Sequence, residues 1–170
     1  MAGGVRIEAI PGFREIAACV EDGATFAENA ILKAKYYSAY VSDPVFADDS
    51  GLEVDALGGA PGVYSARYSG EGATDQSNNR LLLENLRGVT KRTARFVCRI
   101  ALVERGRVLG VYSGSVEGAI LDAPRGSGGF GYDPLFYYAP FGCTFGEANE
   151  EQKAAVSHRG QAFRAMMGVW

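Results

Sequence analysis

The chain is poor in several residue types that usually mark particular classes of protein. It has one histidine, one tryptophan and three cysteines in 170 residues. The cysteines, Cys19, Cys98 and Cys143, are odd in number and far apart, which argues against a disulfide framework and against a CxxC-type metal site. We therefore expect a reducing, cytoplasmic setting.

Long apolar runs and an excess of basic residues are also missing. No stretch reaches the roughly 18 apolar residues of a membrane span, and the first residues have no apolar core of signal-peptide length. The formal net charge of -3 and the pI near 5.2 argue against an extended basic surface for duplex nucleic acid. We expect neither a membrane nor a nucleic acid as a partner.

The chain does have enough apolar material for one compact domain spanning residues 1–170. Hydrophobic residues make up 47% of the sequence, and a chain of this length buries roughly 70% of its unfolded surface. From Thr25 to about Val41 apolar residues recur at helical spacing, and Thr74 is a candidate cap for a second helix. A last helical segment, 149–167, is expected to be divided at Ser157 and Gly160.

Strand patterns concentrate in the second half. Phe96, Cys98, Ile100 and Leu102 alternate with other residues, which predicts a strand. A hairpin turn is expected after it, at residues 104–107, followed by two further strands at 108–112 and 116–121. The expected fold class is α/β, with a mixed, twisted central sheet flanked by helices and an antiparallel meander in the second half.

Two adjacent carboxylates, Asp48 and Asp49, stand where an expected short strand (44–47) meets Ser50 and Gly51. Neighbouring carboxylates repel one another in a half-buried site unless a cation, a proton or hydrogen-bond donors compensate. Magnesium is a natural compensator, because it prefers hard oxygen ligands. A solvated turn is the alternative, since Asp, Ser and Gly all form turns.

Glu28 has two possible roles. The sequence Thr25-Phe26-Ala27-Glu28 matches the capping box, in which the threonine caps the helix and the glutamate reaches back to the threonine amide. The same carboxylate is also a candidate metal ligand. The spacing alone favours the cap.

The glycine-rich run Gly126–Gly131 fits G-x-G-x-x-G, but it does not precede a helix. Asp133-Pro134 follows closely, and a proline between apolar residues predicts an extended segment, so the run is not a dinucleotide fingerprint. A bare loop carrying Phe130 could bring an aromatic ring into stacking contact with a purine. A plain turn with Phe130 in the core is the alternative.

The only histidine, His158, lies between Ser157 and Arg159, shortly after Lys153. A helix that begins here gathers donors and positive charge at its N-terminus, which is suited to an anion or a carbonyl oxygen. A solvated basic helix start is the alternative reading.

Five motifs occur in an order and at spacings that resemble one enzyme family. Together they resemble the inosine triphosphate pyrophosphatase family, over about residues 10–165. The resemblance implies Mg2+-dependent hydrolysis of ITP, dITP or XTP to the nucleoside monophosphate and pyrophosphate, by a homodimer. The motifs are TFAENA (25–30), ADDSGL (47–52), GGAPGVYSARY (58–68), GFGYDP (129–134) and SHRG (157–160).

The resemblance also implies a role for each site residue. Glu28 and Asp49 would hold the magnesium ion, which gives Glu28 more than a capping role. Asp49 would also activate water, with Asp48 as a supporting residue, and Phe130 would stack on the base. The other substrate-binding residues would be Ser50, Gly131, Tyr132, Asp133, Lys153, His158 and Arg159.

One segment of that family is not found in this sequence. Family members begin with an apolar strand, the motif Ser/Thr-x-Asn-x-x-Lys and a helix, which grip the triphosphate, whereas residues 1–24 contain no lysine. We therefore expect the first strand and helix of the family fold to be absent, with an exposed sheet edge and weaker triphosphate binding. A late start codon, a truncated chain and an inactive purine nucleotide binder are alternative explanations.

Overall fold

The computed structural model describes residues 4–169, in which helices cover both faces of one sheet. The expected α/β class with flanking helices and a meander is confirmed. No helix in this part of the chain is both long and apolar enough to cross a membrane. The α-helices are α1 (Phe26–Ser38), α2 (Asp75–Asn85), α3 (Glu150–Val156) and α4 (His158–Met167). The strands are β1 (Val45–Val54), β2 (Thr93–Glu104), β3 (Arg107–Ile120), β4 (Phe136–Tyr138) and β5 (Cys143–Thr144).

The strands follow one another across the sheet in chain order, β1-β2-β3-β4-β5. Every strand pairing within residues 4–169 is antiparallel, so the sheet is not mixed as expected. β1 is antiparallel to β2 along its whole length, from Val45 opposite Val103 to Val54 opposite Ala94. In the described part of the chain, β1 is therefore an edge strand.

Alternate side chains of the sheet meet different helices on its two faces. On one face the alanines of α1 contact Ala101 and Val103. On the other face α4 contacts Cys98, Ile100 and Leu102. A larger cluster on this second face joins α2 to the sheet through Leu52, Leu82, Leu86, Phe96, Phe136 and Phe145.

The short strand expected at residues 44–47 is longer in the structure. β1 continues through Asp48 and Asp49 to Val54, so the two carboxylates lie within a strand and not at its end. The solvated-turn alternative is therefore wrong. Turn-forming residue types dominate this stretch, but pairing with β2 holds its backbone extended.

β3 is one continuous strand instead of the two expected at 108–112 and 116–121. Between those ranges, Gly114 pairs with Cys98 in regular register. A Cβ at Gly114 would collide with the carbonyl oxygen of His158. This glycine therefore permits close packing of α4 on the strand and does not mark a turn.

The break expected in the last helical segment lies at Ser157 alone. Ser157 ends α3, and its hydroxyl caps α4 by accepting the Gly160 N–H at 3.0 Å. Gly160 itself lies within α4, so the interruption expected there is not found.

The glycine-rich loop leads into a short 3-10 turn, Asp133–Leu135, where an extended segment was expected. Pro134 is accommodated in this turn, because a proline is tolerated in the first turn of a helix. Strand β4 follows directly.

Candidate functional site

Asp48 and Asp49 point to opposite faces of the sheet, because successive side chains of a strand alternate. Asp48 accepts a hydrogen bond from Arg159 Nε of α4 at 3.0 Å. Ser50, on the same face, accepts one from Arg159 Nη2 at 3.0 Å. Asp49 instead contacts Asn29 of α1. One shared cation between the two carboxylates is therefore not how their charges are compensated.

Asp49 is half-buried and is held by Asn29. The Asn29 Nδ2 donates to Asp49 Oδ2 at 3.0 Å, and its Oδ1 accepts the Gly23 N–H at 2.7 Å. Asn29 is only 2% exposed, so both bonds are shielded from water. Burial raises the pKa of Asp49, and the Asn29 hydrogen bond and the charge of Lys33 oppose this rise.

Lys33 brings a positive charge to the same region. Its Nζ donates to the Asp48 carbonyl oxygen at 2.9 Å and pairs with Glu21 at 2.7 Å. Asn29 and Lys33 are four residues apart and project from one face of α1. Neither residue was predicted from the sequence, although their spacing on an expected helix was the available signal.

Glu28 caps α1, but not in the way expected. Its backbone N–H donates to Thr25 Oγ1 at 3.1 Å, as the capping box predicts. Its Oε2, however, accepts the Ala24 N–H at 2.7 Å and not the threonine amide. The reciprocal bond is displaced by one residue, and the cap occupies only one of the two carboxylate oxygens.

A magnesium ion at this site would need ligands from the substrate in addition to protein carboxylates. Within residues 4–169 no group of three or more His, Cys, Asp or Glu side chains is arranged to hold a metal. The two candidate carboxylates are Asp49, which is bonded to Asn29, and Glu28, which precedes Asn29 on α1. Mg2+ is commonly bound by one or two carboxylates together with substrate phosphates and water.

Phe130 presents an aromatic ring to solvent, with 62% of its surface exposed. Lys153 Nζ lies 4.9 Å and Arg159 Cζ lies 5.9 Å from the ring centroid. The alternative that places Phe130 in the core is therefore wrong. An exposed ring beside two cations offers a stacking surface for a base and positive charge for its oxygens.

The loop around Phe130 is braced from within. Asp133, 5% exposed, accepts the Phe130 N–H at 3.1 Å and the Lys153 Nζ at 2.6 Å. Tyr132 is also buried, and its hydroxyl donates to the Ser65 carbonyl oxygen at 2.6 Å. The side chains of Tyr132 and Asp133 therefore support the loop, and its backbone lies beside the exposed ring.

His158 is neutral at neutral pH. Its ring stacks on Phe96 with the centroids 5.0 Å apart, and burial is the main cause that lowers its pKa to about 4. The expected positive charge at this helix start therefore comes from Lys153 and Arg159. His158 Nδ1 is buried and has no hydrogen-bond partner among residues 4–169.

These groups lie along one edge strand. Glu28 and Asp49 belong to the α1 side of β1, whereas Ser50, Arg159 and Phe130 belong to the α4 side. A purine base requires a stacking surface, and a metal-bound phosphate requires carboxylates nearby. The fold and the site are those of an α/β nucleotide-binding protein.

The chain belongs to the Ham1 family, whose profile matches residues 2–169. The dITP/XTP pyrophosphatase of Syntrophobacter fumaroxidans is 54% identical over 159 residues, which are 93% of this chain and 68% of that protein. The dITP/XTP pyrophosphatase of Thermus thermophilus is 56% identical over 152 residues, 88% of this chain and 73% of that protein. The Staphylococcus aureus Ham1 protein structure has a TM-score of 0.87 and 42% identity, covering 92% of this chain and 81% of its own. The resemblance predicted from the five motifs is confirmed.

Proposed function

We propose that this chain hydrolyses the non-standard purine nucleoside triphosphates ITP, dITP and XTP to the nucleoside monophosphate and pyrophosphate, with Mg2+ as cofactor. Two relatives that are more than half identical to it bear the name dITP/XTP pyrophosphatase. The Ham1 family match extends over nearly the whole chain.

The observation that carries this proposal is the arrangement of two sets of groups around β1. Asp49 faces α1 and is held by Asn29, and the next residue, Ser50, is bonded to Arg159 beside the Phe130 ring. A nucleotide lying across this strand would place its base on Phe130 and its α-phosphate near Asp49. The remaining phosphates would then extend toward the α1 side.

Asp49 is the group that we assign to the attacking water. Its carboxylate would accept a proton from the water while the water oxygen bonds to the α-phosphorus. The bond from that phosphorus to the bridging oxygen then breaks, and pyrophosphate leaves. Asn29 donates to one carboxylate oxygen and the Ser50 N–H donates to the other at 3.1 Å, so the carboxylate is held in a defined orientation. When bound to Glu28 and Asp49, Mg2+ would neutralise charge on the triphosphate.

Selectivity for the base follows from the donors near Phe130. Lys153 and Arg159 carry only donors, which suit the 6-keto oxygen of hypoxanthine or xanthine. The 6-amino group of adenine would leave such donors unpaired, at a cost of about 1–3 kcal/mol for each. ATP is therefore expected to be a poorer substrate than ITP.

Incubation with ITP and Mg2+ tests the proposal. We expect equal amounts of inosine monophosphate and pyrophosphate, and no turnover in excess EDTA. Asp49→Asn should reduce kcat roughly 10²- to 10⁴-fold, whereas Asp43→Asn, which removes an exposed carboxylate before β1, should not. A chain that binds inosine monophosphate but releases no pyrophosphate would instead be a purine nucleotide binder without turnover.

Assembly and location rest on the family resemblance alone. We propose a homodimer that acts on the cytoplasmic nucleotide pool. Light scattering is expected to give twice the 18.1 kDa mass of one chain. A mass of one chain at micromolar concentration would contradict the homodimer.

A further inference from the structure

Two side chains of helix α2 bond to the backbone N–H and the backbone carbonyl of Gly131. Asp75 Oδ2 accepts the Gly131 N–H at 2.9 Å, and Asn79 Nδ2 donates to the Gly131 carbonyl oxygen at 3.1 Å. Asp75 and Asn79 are four residues apart, so they project from the same face of α2. They reach a loop that is 56 and 52 residues away in sequence.

Gly131 directly follows Phe130, whose ring is exposed. Gly131 has a φ of 60°, in the left-handed region that glycine adopts readily. A glycine at this point gives the loop many alternative conformations unless other groups restrain it. The internal bonds of Asp133 restrain the Phe130 N–H, and the two α2 side chains restrain the Gly131 peptide.

In the described part of the chain, one polar atom of Asn79 is buried without a hydrogen bond, which is unfavourable for folding. Its Oδ1 is buried but has no hydrogen-bond partner among residues 4–169. Such a buried carbonyl is unfavourable, and the amide nitrogen of the same side chain bonds to Gly131. Exceptions to the rule that buried polar atoms are hydrogen-bonded are expected at functional sites.

The helix that carries both residues is a fixed support. Thr74 and Ser77 cap its first turn reciprocally, through Thr74 Oγ1 and Ser77 Oγ. Near its other end Leu82 and Leu86 are fully buried in the core. Asp75 and Asn79 therefore attach the loop to a helix that is itself anchored in the core.

We propose that Asp75 and Asn79 are positioning residues for purine binding, which act by fixing the Gly131 peptide and thereby the Phe130 ring. This inference rests on the proposed function, because it takes Phe130 as the surface on which the base stacks. In this proposal both residues act through Gly131 and not by contact with the base. Their effect is to reduce the conformational entropy that the loop loses when a purine binds.

The test uses the full chain and two measurements: the Kd of inosine monophosphate by calorimetry, and the kinetics of ITP hydrolysis. Asn79→Ala and Asp75→Ala should each weaken inosine monophosphate binding roughly three- to tenfold. KM for ITP should rise by a similar factor, while kcat stays within about twofold, because no interaction specific to the transition state is lost. The urea midpoint of Asn79→Ala should stay close to that of the wild type, because the variant loses the bond to Gly131 but also removes the buried Oδ1 that has no partner among residues 4–169.

Conservative variants distinguish an effect on the position of Gly131 from a general loss of folded structure. Asp75→Asn keeps an oxygen that can accept the Gly131 N–H, so it should restore most of the affinity lost in Asp75→Ala. Asn79→Asp keeps the shape but loses the donor, so it should weaken binding at least as much as Asn79→Ala. Gln76→Ala is the matched control, because it shortens a neighbouring exposed side chain on α2 that bonds to neither Gly131 nor Phe130.

Wild-type affinity in folded Asn79→Ala and Asp75→Ala would overturn the inference, and so would an equal loss in kcat. If an alanine variant does not fold, Asn79→Asp and Asp75→Asn decide by the same Kd. Failure of the proposed function would be visible separately, as inosine monophosphate binding without hydrolysis. A wild-type chain that does not bind inosine monophosphate would overturn both.

Discussion

Asn29 sets the orientation of Asp49 together with the Ser50 N–H, which donates to Asp49 Oδ1 at 3.1 Å. The Asn29 amide nitrogen occupies one carboxylate oxygen of Asp49, while its amide oxygen holds the Gly23 N–H ahead of α1. Gly23 fits there because it lacks a side chain: a Cβ would lie 2.6 Å from Asn29 Oδ1. The orientation of Asp49 thus depends on a buried hydrogen-bond chain that begins in the loop before α1.

Asn29→Ala is expected to lower kcat for ITP by between about tenfold and a hundredfold, because Asp49 loses one of the two hydrogen bonds that orient it. The Kd of inosine monophosphate should change little, since Phe130 and Arg159 lie on the other side of β1. The free energy of unfolding should fall by about 1–3 kcal/mol, because buried polar groups lose their partner. Steady-state kinetics, calorimetry and urea unfolding measure these three effects.

A second asparagine provides the control for this prediction. Asn85 lies on α2, and its Nδ2 donates to the Tyr68 hydroxyl at 2.6 Å. Asn85→Ala therefore also removes one side-chain hydrogen bond, but it should leave kcat unchanged. Wild-type kcat in folded Asn29→Ala would show that Asp49 does not depend on Asn29.

Among the secondary-structure elements, the distance between α4 and β3 decides where Arg159 lies relative to Ser50. α4 begins with His158 and Arg159, and it crosses β3 at Gly114. A Cβ there would meet the His158 carbonyl oxygen first and then Ala162 N at 2.7 Å. Any outward shift of α4 would therefore also move Arg159 away from Ser50.

Gly114→Ala is expected to push α4 outward. The free energy of unfolding should fall by about 1–3 kcal/mol, as for other overpacked interiors, and inosine monophosphate should bind more weakly. Gly110→Ala on the same strand is the matched control, because its Cβ would meet the Tyr112 hydroxyl at 2.6 Å and that ring can swing aside. Equal destabilisation of the two variants would argue against helix packing as the cause.

For the whole molecule, the local elements could be predicted but their mutual placement could not. The helical period of α1 and the Ser157 break depend on neighbouring residues, and both are confirmed. The separation of Asp48 from Asp49 depends on pairing between β1 and β2, and the Arg159–Asp48 bond joins residues 111 positions apart. Tertiary packing decides such contacts, and no local pattern contains them. The motifs identified the family, while the roles of the individual site residues stay predictions.

His158 connects protonation to the stability of the whole molecule. Burial lowers its pKa to about 4, with Arg159 and Lys153 acting in the same direction and Asp48 opposing them. In an unfolded chain a histidine titrates near pH 6.5, so between these values the unfolded state binds a proton that the folded state does not. The stabilising contribution of the neutral ring is therefore complete above about pH 6.5 and is lost as the pH falls toward 4.

Over that interval the loss from His158 is expected to reach roughly 3 kcal/mol, at about 1.4 kcal/mol for each pH unit. Urea unfolding at a series of pH values between 7 and 4 measures it. His158→Phe keeps an aromatic ring against Phe96 but cannot take up a proton, so its free energy of unfolding should fall less over the same interval. Because the carboxylates titrate in both proteins, the difference between the two curves isolates the histidine. Parallel curves would mean that the protonation of His158 does not destabilise the fold, and that its ring is not held neutral by burial.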